Sequence, residues 1–257
     1  FDPKRTQIFS SGGGVQSTAI AALIVRGDLI KPDLAVIVDT EREKSTTWEY
    51  LDAVTAPALA SVGVKIHRVL KSKYESCDII ISGKIAIPAY TSTGIGPAGK
   101  LPTYCSSRWK QRVMRRWATE QGVKKAQVWI GFSVDEMHRA SRQIKARPGK
   151  WGVRFPLLER RMNRNDCLSL VKEIGWPPPP RSSCYMCPNM NMRQWRDVRN
   201  GPDWEKVVAF EMLIRTYDTR LWLTDQCIPI ELADFSEENI KLWGDSGAEC
   251  VSGACFV

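Results

Sequence analysis

Residues 6–17 have the sequence TQIFSSGGGVQS. The first five of these residues predict a strand, the three glycines that follow predict a loop, and an apolar helical pattern begins at Gln16. Glycines let backbone N–H groups close on phosphate oxygens, and the dipole of the following helix adds partial positive charge. The alternative is a tight turn that binds nothing. We expect the loop to bind the phosphates of a nucleotide through Ser11, Gly12, Gly13, Gly14, Gln16 and Ser17.

Short β-branched runs alternate with longer helical patterns after this loop. Strands are predicted at 6–10, 34–39, 65–70 and 127–132, and helices at 16–26, 46–62 and 107–121. A glycine follows each of these helices and provides a stop. This alternation predicts an α/β fold in which a parallel sheet carries helices on both faces.

The pattern changes along the chain, and we predict two parts. Residues 1–156 form the α/β nucleotide-binding domain, and residues 157–257 form a smaller helical region that carries cysteines, with helices at 165–175, 192–200 and 204–221. Within the first part, residues 74–103 are rich in Gly, Pro, Ser and Thr and are long for a connection inside a compact domain. We expect this segment to be a substrate loop or lid.

Basic residues outnumber acidic ones. The chain has 37 Lys and Arg against 28 Asp and Glu, for a formal net charge of +9. Such a balance favours acidic partners, namely nucleotides or nucleic acid, although a basic surface that only keeps the protein in solution gives the same number. The cations concentrate at 108–116 and 139–147.

No stretch of the sequence is apolar over the ~20 residues that a membrane-spanning helix needs. The apolar run at 18–25 follows the glycine loop and predicts a buried helix instead of a signal peptide. We therefore expect no membrane association, and we take the cytoplasm as the default compartment.

The glycine loop lacks the Gly-Lys-Ser/Thr ending of a Walker loop and the spacing of a Rossmann fingerprint. It resembles the S-G-G-x-D-S loop of the PP-loop superfamily, the adenine nucleotide alpha hydrolase-like proteins, and within it the PAPS reductase-like family. In the nearest register Gly12 replaces the first serine, and Gln16 replaces the acidic residue. The resemblance implies binding of ATP or a related adenine nucleotide. Because Gln16 carries no charge, Mg²⁺ is a possible but not a required cofactor.

Three further segments match the family in the same order. Residues 38–40, followed by Glu43 and Thr47, resemble its V-D-T-G-x-E segment, residues 131–136 with Arg139 resemble its G-I-R-x-D-E-x-x-R segment, and residues 155–158 resemble its P-L-I stretch. The resemblance implies that Asp39 and Thr40 lie near the nucleoside. It also implies that Lys110 and Arg139 neutralise charge on the α-phosphate and the leaving group.

Eight cysteines are too few and too scattered for a disulfide scaffold in a chain of 257 residues. Cys184 and Cys187 form a C-x-x-C pair, a spacing that lets two thiolates face one metal. In iron–sulfur members of the family, cysteine at the position of Cys105 joins such a pair on a 4Fe-4S cluster. The resemblance thus implies a three-cysteine cluster with one open iron. A zinc site and unligated thiols are the alternatives, and Cys227 or Cys167 could supply a fourth ligand.

The tail contains Glu249 and Cys250, which resemble the Glu-Cys of the motif that carries the mobile nucleophile of PAPS reductases. Cys255 could pair with Cys250 or attack a mixed disulfide. A frayed terminus without a role is the alternative.

Three functions follow from these features. The leading one is ATP pyrophosphatase chemistry, in which α–β cleavage adenylates an acceptor and sulfur from a donor protein is then delivered, with a base of tRNA or DNA as the acceptor. The second is reduction of adenylyl sulfate or its 3′-phosphorylated form, with Cys250 as the catalytic nucleophile. The third is a non-catalytic module that binds nucleotide or nucleic acid. Gln16 in place of the acidic residue and the positive net charge are consistent with this function.

Overall fold

The computed structural model describes residues 2–76, 78–81, 83–93, 96–144 and 149–243. No helix in these ranges has the length and apolar character that crossing a membrane requires.

The described strands are β1 (Thr6–Ser11), β2 (Leu34–Asp39), β3 (Ile66–Leu70), β4 (Ile80–Ile81), β5 (Lys84–Ile85), β6 (Tyr90–Thr93), β7 (Gly96–Lys100), β8 (Ala126–Trp129), β9 (Trp151–Arg154) and β10 (Leu221–Trp222). The α-helices are α1 (Val15–Val25), α2 (Ser45–Tyr50), α3 (Ala56–Ser61), α4 (Lys71–Tyr74), α5 (Val113–Glu120), α6 (Met137–Ser141), α7 (Pro156–Glu159), α8 (Arg164–Glu173), α9 (Met192–Arg199), α10 (Trp204–Tyr217) and α11 (Glu237–Trp243). Two π-helical segments, Leu51–Thr55 and Ser106–Arg112, precede α3 and α5, and a 3₁₀ turn, Val134–Glu136, precedes α6.

Five parallel strands form the main sheet in the order β3-β2-β1-β8-β9. Successive residues of a strand point to opposite faces of the sheet, so adjacent residues of β1 pack in two different hydrophobic cores, one on each face. Ile8 packs with α5 on one face, whereas Phe9 packs with α1 and α8 on the other. The predicted α/β class, a parallel sheet with helices on both faces, is confirmed.

The predicted helix at 46–62 is interrupted. The π-helical segment Leu51–Thr55 separates α2 from α3, and Pro57 lies at the start of α3. Proline has no N–H for the carbonyl four residues earlier and its ring would clash with that carbonyl, so the widened turn just before it removes the conflict.

Residues 74–103, expected to be a substrate loop or lid, contain four short strands in their described parts. Strands β4 and β5 make an antiparallel pair, and β6 pairs antiparallel with both β7 and β10. The register of β6 and β7 shifts between Thr91 and Ser92. Strand β7 contains glycine and proline, which have low strand propensity, so the local sequence does not predict it.

Internal contacts divide the described chain into two compact units. The first comprises residues up to Glu75 and Ser106–Ser182, and the second comprises Ser76–Cys105 together with the described residues from Ser183 onward. This division differs from the predicted boundary at residue 156. The physical reason is that α8 buries Cys167 and Leu170 in the same core as α1, so it belongs to the sheet unit.

Candidate functional site

The glycine loop connects β1 to α1 at the carboxyl edge of the sheet, where α/β proteins commonly bind ligands. Gly13 has φ +73°, and a Cβ built on it would stand 2.5 Å from Cγ2 of Thr47. Both the backbone angle and the space therefore require glycine. No side chain caps α1, which leaves the first-turn N–H groups without an intrahelical acceptor.

Two hydroxyls of the loop itself hold its shape. The Gly12 N–H donates to Ser17 Oγ at 2.8 Å, and the Gly13 N–H donates to Ser11 Oγ at 3.2 Å. Ser11, Gly12, Gly13 and Ser17 thus form a closed turn whose later amides begin the helix. A preformed turn of this kind presents backbone donors to an anion without a further ordering cost.

Two buried residues that carry hydroxyls contact this turn. Ser182 is 3% exposed and Thr47 is 1% exposed. Ser182 Oγ would stand 2.7 Å from a Cβ built on Gly14, whereas Thr47 faces Gly13 with its Cγ2 methyl. Neither hydroxyl has a hydrogen-bond partner in the described part of the chain. A buried polar atom without a partner costs free energy, and a phosphate oxygen at Gly14 would satisfy the Ser182 hydroxyl.

Sequence reasoning placed Thr47 only in a family-like segment and did not consider Ser182. The signal that could have found Ser182 is its position after Arg181, in a segment that follows the prolines at 177–180. Distance along the chain hid it, because about 168 residues separate it from Gly14, and only the fold brings them together.

Lys110 lies beside the start of the loop, and its role in neutralising phosphate charge remains a prediction. Its Nζ is 2.6 Å from Glu43 Oε1, and the two side chains are 12% and 2% exposed. Both line a crevice of about 10 Å³ with Ser10, Ser11 and Gly12. Such a volume holds about one water, so a phosphate would rest at the mouth of the crevice.

Arg139 reaches the loop through a carboxylate. Its guanidinium pairs with Glu136 Oε1, and Glu136 Oε2 accepts a hydrogen bond of 3.1 Å from Gln16 Nε2. Arg164 Nη1 donates to Gln16 Oε1 at 3.5 Å. Gln16, which stands where the family has an acidic residue, therefore joins two cationic side chains to the loop.

Arg164 and Arg181 form a pair of like charges in this region. Partial burial, and then repulsion from Arg181, lowers the pKa of Arg164. Guanidinium groups close enough to repel each other are stabilised by an anion between or beside them. Neither residue was predicted as part of the site.

Asp39 and Thr40 lie at the end of β2, but both side chains have protein partners. Asp39 pairs with Arg68 at 2.7 Å and accepts from the Glu41 N–H at 2.6 Å. Thr40 is fully buried, with its hydroxyl 3.5 Å from Glu43. Contact of these two residues with a nucleoside remains a prediction.

Cys105, Cys184 and Cys187 all belong to the second compact unit and are half-buried. The Cys187 N–H donates to the Cys184 carbonyl at 3.2 Å, so the C-x-x-C segment is a tight turn. Within the ranges that the structure describes, no three His, Cys, Asp or Glu side chains come together as a metal site. A 4Fe-4S or zinc centre on Cys105, Cys184 and Cys187 remains a prediction.

Cys167 and Cys227 are the two other cysteines in the described part of the chain. Cys167 is fully buried in the core around α1, where burial raises the pKa of its thiol to about 12. Cys227 has φ +50° and its Sγ lies 3.8 Å from the Thr91 carbonyl. Cys250 and Cys255, predicted as nucleophile and partner, lie outside the described residues.

No protein-family model matches the chain, and no curated protein matches it either. Solved structures that resemble it include the U34-tRNA thiolase NcsA from Methanococcus maripaludis with its 4Fe-4S cluster, at 14% identity and a TM-score of 0.47, covering 95% of this chain and 82% of that one. The phosphoadenylyl-sulfate (PAPS) reductase from Candida auris, a phosphate complex, has 14% identity and a TM-score of 0.41, covering 68% of this chain and 75% of that one. The NMN synthetase from Francisella tularensis has 14% identity and a TM-score of 0.41, covering 68% of this chain and 63% of that one.

Proposed function

We propose that this chain is a PP-loop type enzyme that binds ATP at residues 11–17 and cleaves it between the α- and β-phosphates. The observation that carries the proposal is the buried Ser182 hydroxyl, which lies beside Gly14 of the glycine loop without a partner among the described residues. A turn that binds nothing would gain stability if an apolar side chain replaced Ser182. In a phosphate site the hydroxyl donates a hydrogen bond to a phosphate oxygen.

Each part of the site has a role in this reaction. The first-turn amides of α1 and the Ser182 hydroxyl donate to phosphate oxygens. Lys110, Arg139 and Arg164 stabilise the negative charge that builds up on the α-phosphate and on the departing pyrophosphate. Each of these cations contacts the loop directly, lies at its crevice, or reaches it through Gln16 and Glu136.

The proposed step is an adenylation. An acceptor carbonyl oxygen attacks the α-phosphorus, a P–O bond forms to it, and the bond to the bridging oxygen of the β-phosphate breaks. Pyrophosphate leaves with that electron pair. A hydrosulfide-level donor then attacks the activated carbon, so that a C–S bond forms, the C–O bond breaks and AMP departs. A 4Fe-4S cluster bound to this chain would be held by Cys105, Cys184 and Cys187.

The first test is to substitute Ser182, with Ser183 as the control. Ser182→Ala removes a hydroxyl that makes no hydrogen bond among the described residues, so thermal stability should be unchanged or slightly higher. ATP should bind roughly tenfold more weakly, since a hydrogen bond to a charged group contributes ~1.5–3 kcal/mol. Ser183→Ala loses only a 3.6 Å contact with Met190 Sδ and should bind ATP like the parent.

Calorimetric titration with ATP, and assays for pyrophosphate and sulfite, provide the measurements. Equal ATP affinity in Ser182→Ala and the parent would contradict the placement of phosphate at this loop. Pyrophosphate release from ATP supports the adenylating enzyme, whereas sulfite release from adenylyl sulfate supports the reductase. Binding with neither product indicates a module without catalysis.

A further inference from the structure

A large basic cavity lies in the sheet unit and takes no part in the site described above. Its volume is about 720 Å³, and its lining includes the cations Lys73, Arg108, Arg112, Arg115 and Arg116, with Glu120 as the one carboxylate. Tyr74 and Trp151 add aromatic surface. We call this pocket the basic cavity.

One continuous helical path supplies most of the lining. The π-helical segment Ser106–Arg112 runs directly into α5, and the lining positions on this path are pairs of neighbouring residues that recur every four residues. Such spacing puts them on one side of the helix. The opposite side holds Trp109, Val113 and Met114, which are at most 1% exposed and anchor the path in the core.

The cations of the cavity are only partly neutralised by the protein. Glu75 lies 3.5 Å from Arg112, and Arg116 donates to the Tyr74 carbonyl. The Glu120 carboxylate accepts a 2.7 Å hydrogen bond from the Tyr74 hydroxyl. Arg115 instead lies over the Trp151 ring, 5.9 Å from its centroid, which neutralises no charge. The cavity is therefore a concentration of positive charge along one helical path.

The length of this surface points to a chain of phosphates instead of a single one. From Arg108 to Arg116 the path rises about 12 Å at ~1.5 Å per residue. That length matches about three to four phosphates of one nucleic-acid strand at ~3.4 Å each along the axis. Cations interleaved with aromatic rings are the composition that tracks a backbone and stacks bases. A mononucleotide would leave part of the cationic row unused.

We propose that the basic cavity binds the phosphodiester backbone of a nucleic acid. Binding of the backbone does not depend on the proposed function. Only the further step, in which the nucleic acid is the acceptor that becomes adenylated, rests on it. Lys110, at the crevice beside the glycine loop, belongs to the same helical path as Arg108 and Arg112. A backbone held along that path lies next to the nucleotide site of the same unit.

The test compares two charge reversals in the full-length protein. The first, Arg108→Glu with Arg115→Glu, changes two cavity cations. The matched control, Lys31→Glu with Lys172→Glu, makes the same change at exposed positions that do not line the cavity. Fluorescence anisotropy follows binding to a fluorescein-labelled total tRNA preparation and to a labelled single-stranded DNA at about 50–200 mM salt. Over this range the affinity of a protein that contacts several phosphates falls by about 10³-fold, so the electrostatic contribution can be measured.

We expect the cavity reversal to weaken nucleic-acid binding at least tenfold and to lower the slope of log affinity against log salt by about 1.5 to 2. The control variant, Lys31→Glu with Lys172→Glu, should weaken binding by less than about threefold, which is the effect expected from the change in net charge alone. Poly-glutamate should compete poorly, because it offers no phosphate spacing and no bases. Equal losses in both variants, or competition by poly-glutamate at equal charge, would overturn the proposal.

Folding and the ATP site are checked in the same samples. If the reversal variant does not fold, Arg108→Gln with Arg115→Gln replaces it, with a smaller expected loss of about fivefold. The cavity variants should bind ATP like the parent, and Ser182→Ala should bind nucleic acid like the parent. Loss of nucleic-acid binding with intact ATP binding supports the inference even if no pyrophosphate is released, so failure of the proposed function remains distinguishable.

Discussion

At the scale of single residues, the site depends on charges that are buried in pairs. Lys110 and Glu43 are 2.6 Å apart and nearly inaccessible to solvent. Removing one member of such a pair leaves a buried charge without its partner and lowers the free energy of unfolding by about 3–5 kcal/mol. A loss of activity after a single substitution therefore does not separate a catalytic effect from a loss of stability. Arg139 and Glu136 present the same difficulty at the other side of the loop.

The pair can be tested by neutralising both members. Lys110→Met alone should lose stability and turnover together. Lys110→Met combined with Glu43→Gln should recover most of the stability, because no uncompensated charge remains, while pyrophosphate release from ATP stays at least about 10²-fold below the parent. Urea unfolding and a pyrophosphate assay measure the two effects. Turnover close to the parental rate in the double variant would show that Lys110 has no catalytic role.

At the scale of elements, α1 is the centre of the sheet unit. It has buried residues all around its axis, from Val15 to Ile24, which explains the absence of an amphipathic period in its sequence. Helix α8 covers its outer side, with Cys167 and Leu170 in the shared core. The capping box of Asn163 and Asp166 fixes the start of α8.

The packing of α8 on α1 predicts a contrast between two leucines of one helix. Leu170 is 6% exposed and Leu168 is 36% exposed. Leu170→Ala should lower the free energy of unfolding by about 2–4 kcal/mol through the cavity that it leaves, whereas Leu168→Ala should cost under about 1 kcal/mol. Urea titration followed by circular dichroism measures both. Similar losses in the two variants would place α8 outside the core of the sheet unit.

The elements also show how far sequence patterns reach. The strand at 34–39 was predicted at its observed limits, because a buried parallel strand is a continuous apolar run. Strand β9 was missed, since Trp151–Arg154 contains glycine and arginine and exists through pairing with β8. The pairs of β6 were missed for the same reason, because long-range partners decide such strands. The glycine loop was predicted from local chemistry, whereas Ser182 required the fold.

At the scale of the whole molecule, two buried acids limit stability in alkaline solution. Burial raises the pKa of the Cys167 thiol to about 12. Burial also raises the pKa of Tyr50 to about 12, and its hydroxyl donates to the Pro177 carbonyl at 2.7 Å. Both groups belong to the sheet unit, and both stay protonated in the folded protein over a range in which the unfolded chain loses the proton.

The last prediction follows from the direction of these shifts. An unfolded cysteine ionises near pH ~8.5 and an unfolded tyrosine near ~10, so above those values the unfolded state binds fewer protons than the folded state and stability falls as pH rises. Cys167 should account for a loss approaching ~1.4 kcal/mol per pH unit between about pH 9 and pH 11, with Tyr50 adding to it above about pH 10. Urea unfolding in this range should show a shallower decline for Cys167→Ala, while Tyr50→Phe should alter the decline only at its upper end. Parallel curves for the parent and Cys167→Ala would mean that the thiol ionises equally easily in both states, which contradicts its burial beneath α1.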